Sequence, residues 1–327
     1  MAYGTYTYNK VQFGRETTPG TPVNATEIWR GKATMVADER DVKIVEEEVG
    51  ILVPAERSYI ASTVGKVNLP QTELTFEQFP HILEAGIHTV AATGSSPYLY
   101  EYEFPTGTTQ PAIKTYTLET GNALVASDQH ELAYSFVEEF EVSGQSKEAW
   151  MLTSNWTGRQ ANQTSMTALS TLLTVEEALF QNTTLYIDAT GGTIGTTAKA
   201  GVLLSARVRY RTGIVPIYTA DGQLYFAAHK RVRPALDFSI KMELESGSLV
   251  AAERAFFKSQ AVRLFKLGIV GSGSKAINLM FAGKYDSISD YENDDENTVV
   301  TFNGHGVYSQ ADAIFAEISV ANSRATL

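Results

Sequence analysis

The sequence predicts a mainly β protein in which one strand-then-helix plan is used twice. Leu236, Phe238, Ile240, Met242 and Leu244 alternate with Asp237, Ser239, Lys241, Glu243 and Glu245, a period of two that a strand with one buried face requires. The period then changes: from Ser248 to Gln260, Leu249, Ala252, Phe256 and Phe257 recur at helical spacing behind a serine N-cap, predicting a helix over about 248–260. The same order occurs earlier. Val67, Leu69 and Leu74 precede a helix over about 75–86, with Thr75 and Gln78 as a capping box and Gly86 as its stop.

Other segments are read in chain order. Tyr98, Tyr100, Tyr102 and Phe104 alternate with Leu99, Glu101 and Glu103, and Leu132, Tyr134 and Phe136 begin a strand that Phe140 and Val142 continue. A short helix is expected around Val175 to Phe180. Further strands are expected at 202–210, 223–226, 261–269, 276–285 and 298–303, with Asp221-Gly222 and Gly271-Ser272-Gly273 as turns. Phe136 to Gly158 and Phe281 to Gly306 both read as strand, turn, strand. The polar stretch 158–167 is the best boundary, which divides the chain into residues 1–165 and 166–327.

A length of 327 residues exceeds what one core usually supports, so two domains are the natural expectation. Hydrophobic content of 43% without an apolar run of the roughly 20 residues a spanning helix needs predicts a soluble chain. Met1 to Lys10 lack the pattern of a secretory signal. The absence of cysteine removes disulfides and thiolate chemistry, so packing or assembly must stabilise the fold. A net charge of -11 argues against ordinary nucleic-acid binding. The imbalance is uneven: 11 basic and 21 acidic residues lie at or before Ser165, against 15 and 16 after it. Either acidic loops fall by chance in the first half, or the nearly neutral half meets the acidic half of another chain.

No motif anchors catalysis or a cofactor. Gly271, Gly273 and Lys275 suggest a phosphate loop, but Ser274 and Ala276 break the Gly-Lys-Ser/Thr order, and Ile277, Leu279 and Phe281 continue as a strand, so a hairpin loop is the better reading. Asp290, Glu292, Asp294, Asp295 and Glu296 crowd one loop without the EF-hand glycine and read as a solvated tip. His81 and Glu84 share a helical face but lack the further ligands zinc needs. The five histidines are scattered and no Gly-x-Ser-x-Gly elbow is present. The Asn-x-Thr sequons at Asn24, Asn155, Asn162 and Asn182 matter only in a secreted chain. The catalytic, cofactor and metal assignments are therefore none.

More informative are Arg207, Arg209 and Arg211, which a strand aligns on one face. Glu46, Glu47 and Glu48, beside Glu39 and Asp41, are candidate acidic partners from a neighbouring molecule. The alternative is a ladder in solvent, or one paired within its own domain. His229, Lys230, Arg231 and Arg233 form a second basic cluster, read as a protein contact.

From Phe13-Gly14-Arg15-Glu16-Thr17-Thr18-Pro19-Gly20-Thr21-Pro22, through Ile28-Trp29 and the acidic stretch to Gly50, the opening resembles tail tube proteins of long-tailed bacteriophages, and Thr184-Leu185-Tyr186-Ile187-Asp188 adds to the likeness. The resemblance implies two tandem β-sandwich or partly closed barrel domains, each flanked by a helix. It further implies a non-enzymatic virion subunit whose rings stack into a hollow, electronegative conduit for DNA. One such domain per subunit in rings of six would become, with two per chain, a trimeric pseudo-sixfold ring. Implied partners are tape measure, tail terminator and distal tail proteins, with no membrane. A loop matching about 39–66 would reach the adjacent ring and order on stacking. Two other readings compete: a distal tail or hub ring, and a β-sandwich carbohydrate-binding or hydrolytic protein in which Glu101 and Glu103 supply acid-base groups.

Overall fold

The computed structural model describes residues 5–54, 56–244, 249–294 and 296–327. Ser248 as N-cap, Glu245 in the alternating strand, Asp295 in the acidic loop and the first four residues lie outside the described residues. The first half contains β1 (Asn9–Arg15), β2 (Glu27–Ile28), β3 (Ala37–Ile44), β4 (Ser58–Glu73), α1 (Phe79–Gly86), β5 (Tyr98–Glu103), β6 (Tyr116–Asn122), β7 (Gln129–Gln145), β8 (Met151–Gly158) and β9 (Ala161–Gln163). The second contains β10 (Thr183–Ala189), β11 (Ala198–Lys199), β12 (Leu203–Arg211), β13 (Ile214–Ile217), β14 (Ala228–Arg231), β15 (Ala235–Glu243), α2 (Leu249–Ser259), β16 (Arg263–Val270), β17 (Ala276–Ile288), β18 (Glu292–Asp294), β19 (Asn297–Gly306) and β20 (Ala316–Asn322). The chain is mainly β and every ladder between these strands is antiparallel. Among the described residues no helix is long and apolar enough to cross a membrane.

Strands β3, β4, β8, β7, β12, β15, β19 and the end of β17 lie side by side in one continuous sheet. Alternation decides its faces. Val67, Leu69, Trp156, Val142, Val208, Phe238, Ile240 and Phe302 are buried in the core, which helices α1 and α2 and the remaining strands complete. The alternation of β15 is borne out from Ala235 to Glu243, where burial switches at every residue, but Leu244, expected on the buried face, lies past the strand end and is exposed.

Two long strands belong to two ladders each. Residues 129–135 of β7 pair with β6 and β9, and from Phe136 onward it pairs with β8 and then β12. At the crossover Tyr134 adopts φ 57°; its N–H, turned out of the ladder, donates to the buried Glu16 carboxylate at 2.8 Å. That acceptor supports a backbone conformation unfavourable for a bulky residue. Strand β17 divides likewise, pairing with β16 and β20 up to about Gly283 and with β19 beyond it.

The pairing path therefore recurs. β2–β1–β6–β7–β8–β4–β3, with β9 added to β7, has the same order as β11–β10–β16–β17–β19–β15–β12, with β20 added to β17. Both long strands carry a bulge just past their crossover, at Glu138 between Val137 and Glu139 and at Asp286 between Tyr285 and Ser287. Helix α1 follows β4 as α2 follows β15. The strand β5 and the pair β13–β14 have no strand in the corresponding place of the other half.

Several expectations are corrected. Val175–Phe180 is extended, because Ala178 exchanges backbone hydrogen bonds with Leu74 and Trp150, and Phe76 donates to Glu176; only Phe180–Asn182 forms a 3-10 turn. Helix α1 starts at Phe79, after Thr75 has bridged to Glu177. Gln78 turns its amide to Glu27 and Ile28 and cannot close a capping box. Gln223–Phe226 is a loop between β13 and β14. The segment 271–275, by contrast, is the expected hairpin turn between β16 and β17, with Gly273 at φ 58°. The 39–66 segment is already a hairpin in the single chain, with β3 laddered to β4.

Candidate assembly surface

The outer face of the long sheet is polar and densely ion-paired. Arg207 reaches Glu141 at 2.6 Å, Arg209 reaches Glu139 at 2.7 Å, and Arg211 reaches Asp237 at 2.6 Å. Lys66–Glu39 and Lys241–Asp294 extend the pattern at 2.8 and 2.7 Å. The three arginines thus find their acids inside the chain, across the junction of β12 with β7 and β15. Each pair is diagonal, the arginine reaching the acid two residues along from the one directly opposite it, a separation long side chains span. Glu46, Glu47 and Glu48 lie elsewhere, in the connection between β3 and β4. Glu47 accepts from Arg57 at 2.8 Å, while Glu46 and Glu48 are exposed and form no ion pair among the described residues.

The two halves meet along two ladders, β7–β12 and β5–β20, and the first of these lies in the long sheet. Phe140 stacks on Tyr210 at 4.8 Å beneath it, and Phe79 at the start of α1 packs edge-on against Phe140. Just beyond β12 the Thr212 hydroxyl donates to the carbonyl oxygens of Val137 and Glu138, capping the β7 bulge. The connection carrying β13 and β14 folds over the first half, burying Ile214 and Phe226 against Tyr134 and Phe136. His229 and Arg231 belong to this contact: His229 meets the Tyr134 hydroxyl and Arg231 donates to the Ile87 carbonyl. Burial and Arg231 hold the His229 imidazole below its usual pKa.

The two ends of the long sheet are open. Strand β3 pairs only with β4, and residues 284–288 of β17 pair only with β19, among the described residues. Every residue of β3 is exposed. Its hairpin also ends in an exposed apolar tip: Ile44, Val49, Ile51, Leu52 and Val53 are solvent-facing, Leu52 completely so. Open strand edges and bare apolar tips are features that a self-contained protein covers.

Buried charge lies in the helix-to-strand packing. Glu84 of α1, fully buried, is clamped bidentately by Arg15 at 2.7 and 2.8 Å and also receives the Tyr116 hydroxyl. Next to it His81 bridges Tyr116 and Glu27. Burial opposes ionisation of Glu27, but His81, Arg324 and Gln78 outweigh it and bring its carboxyl down to about 2. In the second half Glu253 of α2 is clamped by Arg263 at 3.1 and 2.9 Å and by the Tyr285 hydroxyl at 2.9 Å. Tyr116 and Arg263 begin the equivalent strands β6 and β16 and oppose equivalent residues of β7 and β17. Each half thus ties its helix to its sheet with one buried glutamate. The sequence signal was a lone glutamate within each apolar helical stretch.

Glu101 and Glu103 sit exposed on the same face of β5, opposite Ser319 and Glu317. Burial first, then Glu101 and Glu103, raise the pKa of Glu317. Among the described residues no group of three or more His, Asp or Glu is arranged to hold a metal ion. Glu292 and Asp294 lie on β18, which pairs with β19. No protein-family model matches this chain, and no curated protein is significantly similar to it.

Proposed function

We propose that this chain is a structural, non-enzymatic virion protein: a tube subunit resembling the tail tube proteins of long-tailed phages. Its copies join head to tail into rings that stack around a DNA conduit. The reading takes residues 1–165 and 166–327 as tandem copies of one β-sandwich-like domain, so three chains would give a pseudo-sixfold ring. The observation that carries it is the pair of open sheet ends flanking a pairing path that recurs within the chain. A heterologous contact repeated from copy to copy closes as a ring when the rotation permits, and closure satisfies the backbone groups that an open edge leaves bare.

The polar face supports the same reading. Arginines facing a conduit would bind phosphate; here Arg207, Arg209 and Arg211 are occupied by carboxylates, leaving a surface over which a polyanion slides. The apolar hairpin tip beyond β3 supplies a contact to the adjacent ring. Negative-stain electron microscopy of the purified chain tests the proposal: annuli or tubes are expected, and a dispersed monomer at micromolar concentration contradicts it.

A further inference from the structure

We infer that β3 of one copy adds to the open edge of β17 in a second copy, antiparallel, with Glu39 opposite Ser287. This rests on the self-association proposed above and names its junction. The β7–β12 junction inside the chain supplies the template. On one edge, β7 pairs first with β6 and then with β12. The corresponding edge of β17 pairs with β16 through Gly283 and then has no strand neighbour among the described residues; Gln260 donates to the Tyr285 carbonyl there as Thr212 donates to that of Val137. The strand in the first half that corresponds to β12 is β3, each being the outer neighbour of β4 or β15. One half therefore offers the socket that the other half fills, and each end of the chain holds the half of the junction its opposite end lacks.

The ladders fix the register. The bulges at Glu138 and Asp286 align β7 with β17, so Glu139 corresponds to Ser287 and Phe140 to Ile288. Through β8 and β19, Val67 corresponds to Phe238. Through β4 and β15, Ala37, Asp38 and Glu39 then correspond to Arg209, Tyr210 and Arg211. Since Arg211 lies opposite Glu139 and Tyr210 opposite Phe140, Glu39 falls opposite Ser287 and Asp38 opposite Ile288. The ion pair Glu39–Lys66 occupies the place of Arg211–Asp237 with its charges reversed, which supports the alignment.

The chemistry at the joint is consistent with this pairing. Asp38 takes the inward position held by Tyr210 in the template. It would there face α2, where Arg254 lies over the Tyr291 ring and its Nε and Nη2 atoms are buried without a partner among the described residues. Among the described residues Asp38 is held only by exposed Arg40, an exposed pair that can exchange partners.

A cysteine-free chain makes the test clean. In the template, Thr212 donates to the Glu138 carbonyl and Ser146 to that of Leu204, so Arg211 and Glu139 form a non-hydrogen-bonded pair, the close type that accepts a disulfide. The full chain carrying Glu39→Cys and Ser287→Cys, oxidised mildly, should yield covalent species at multiples of the chain mass. Their yield should exceed that of an off-register control, Asp41→Cys with Ser287→Cys, roughly tenfold. The bond is not expected within one chain, because β3 and the end of β17 share no ladder among the described residues and lie at opposite ends of the long sheet, seven strand spacings apart along it, a path of about 33 Å. Assembled particles of the variant without the bond, or equal bonding by the control, overturn this junction and leave the ring reading standing. Failure of both variant and unaltered chain to assemble overturns both.

Discussion

Removing Glu253 should be one of the most damaging single changes in the second half. Its carboxylate is 1% exposed and accepts from both Arg263 nitrogens and from Tyr285, so Glu253→Ala strands a guanidinium that is itself 5% exposed. Breaking a buried pair from one side costs about 3–5 kcal/mol, whereas replacing both members by apolar residues is often neutral. Glu253→Leu with Arg263→Met is accordingly expected within about 1 kcal/mol of the unaltered protein. The thermal shift also reports how the halves unfold. At about 2.1 cal/mol/K per residue, a loss of about 4 kcal/mol lowers Tm by roughly 6 °C if all residues unfold together, and by about twice that if the second half melts alone. Scanning calorimetry and urea titration measure both. A Glu253→Ala cost below about 1 kcal/mol, or a double variant worse than the single, would refute the clamp.

Acid should release the first-half cluster. With its folded pKa pulled to about 2, Glu27 contributes stability that is fully present above the unfolded carboxylate range and is lost as pH falls from about 4.5 toward 2, about 3 kcal/mol in all; Glu27→Gln should lie below the unaltered protein at pH 6 by urea titration and converge with it near pH 2. Glu46, Glu47 and Glu48 replaced together by lysine, or Leu52→Asp with Val53→Asp, should change stability by no more than about 0.5 kcal/mol because these side chains sit in an exposed connection. Both variants should leave rings intact and shorten tubes by electron microscopy; full-length tubes would remove the hairpin from stacking. Asp38→Arg should lower the assembled fraction at least severalfold by sedimentation velocity, with Arg254→Asp added to it restoring assembly; no recovery would break the proposed pair.

The sequence disclosed the elements whose faces differ in polarity. β15 was readable because Leu236 to Met242 alternate without exception. The existence of α2 was readable from its helical spacing, but its inward stripe is Leu249, Val250, Glu253 and Phe257, and the expected Ala252 is exposed. What the sequence concealed was long-range bonding. The Val175–Phe180 segment has a helical pattern, yet the backbone of Leu74 and Trp150 holds Ala178 extended, a contact between residues far apart in the chain. The crossover of β7 is likewise hidden, since Tyr134 shows no turn chemistry and relies on Glu16, more than a hundred positions away. The partner of the arginine ladder was legible in principle: Glu139 and Glu141 share the spacing of Arg209 and Arg211, and matching periods across strands points to them before Glu46, Glu47 and Glu48. The recurrence was visible as strand followed by helix, but its depth rests on ladder order and bulge position, which no residue identity marks.

The most direct test of the account is a cryo-electron microscopy reconstruction of the self-assembled chain. It should show the long sheet running unbroken from copy to copy, β3 laddered to the end of β17 with Glu39 opposite Ser287 and Asp38 opposite Ile288, and the polar face carrying Arg207, Arg209 and Arg211 turned to the lumen. An assembly that leaves β3 and β17 bare, or a monomer whose sheet ends are covered by its own chain, would contradict it.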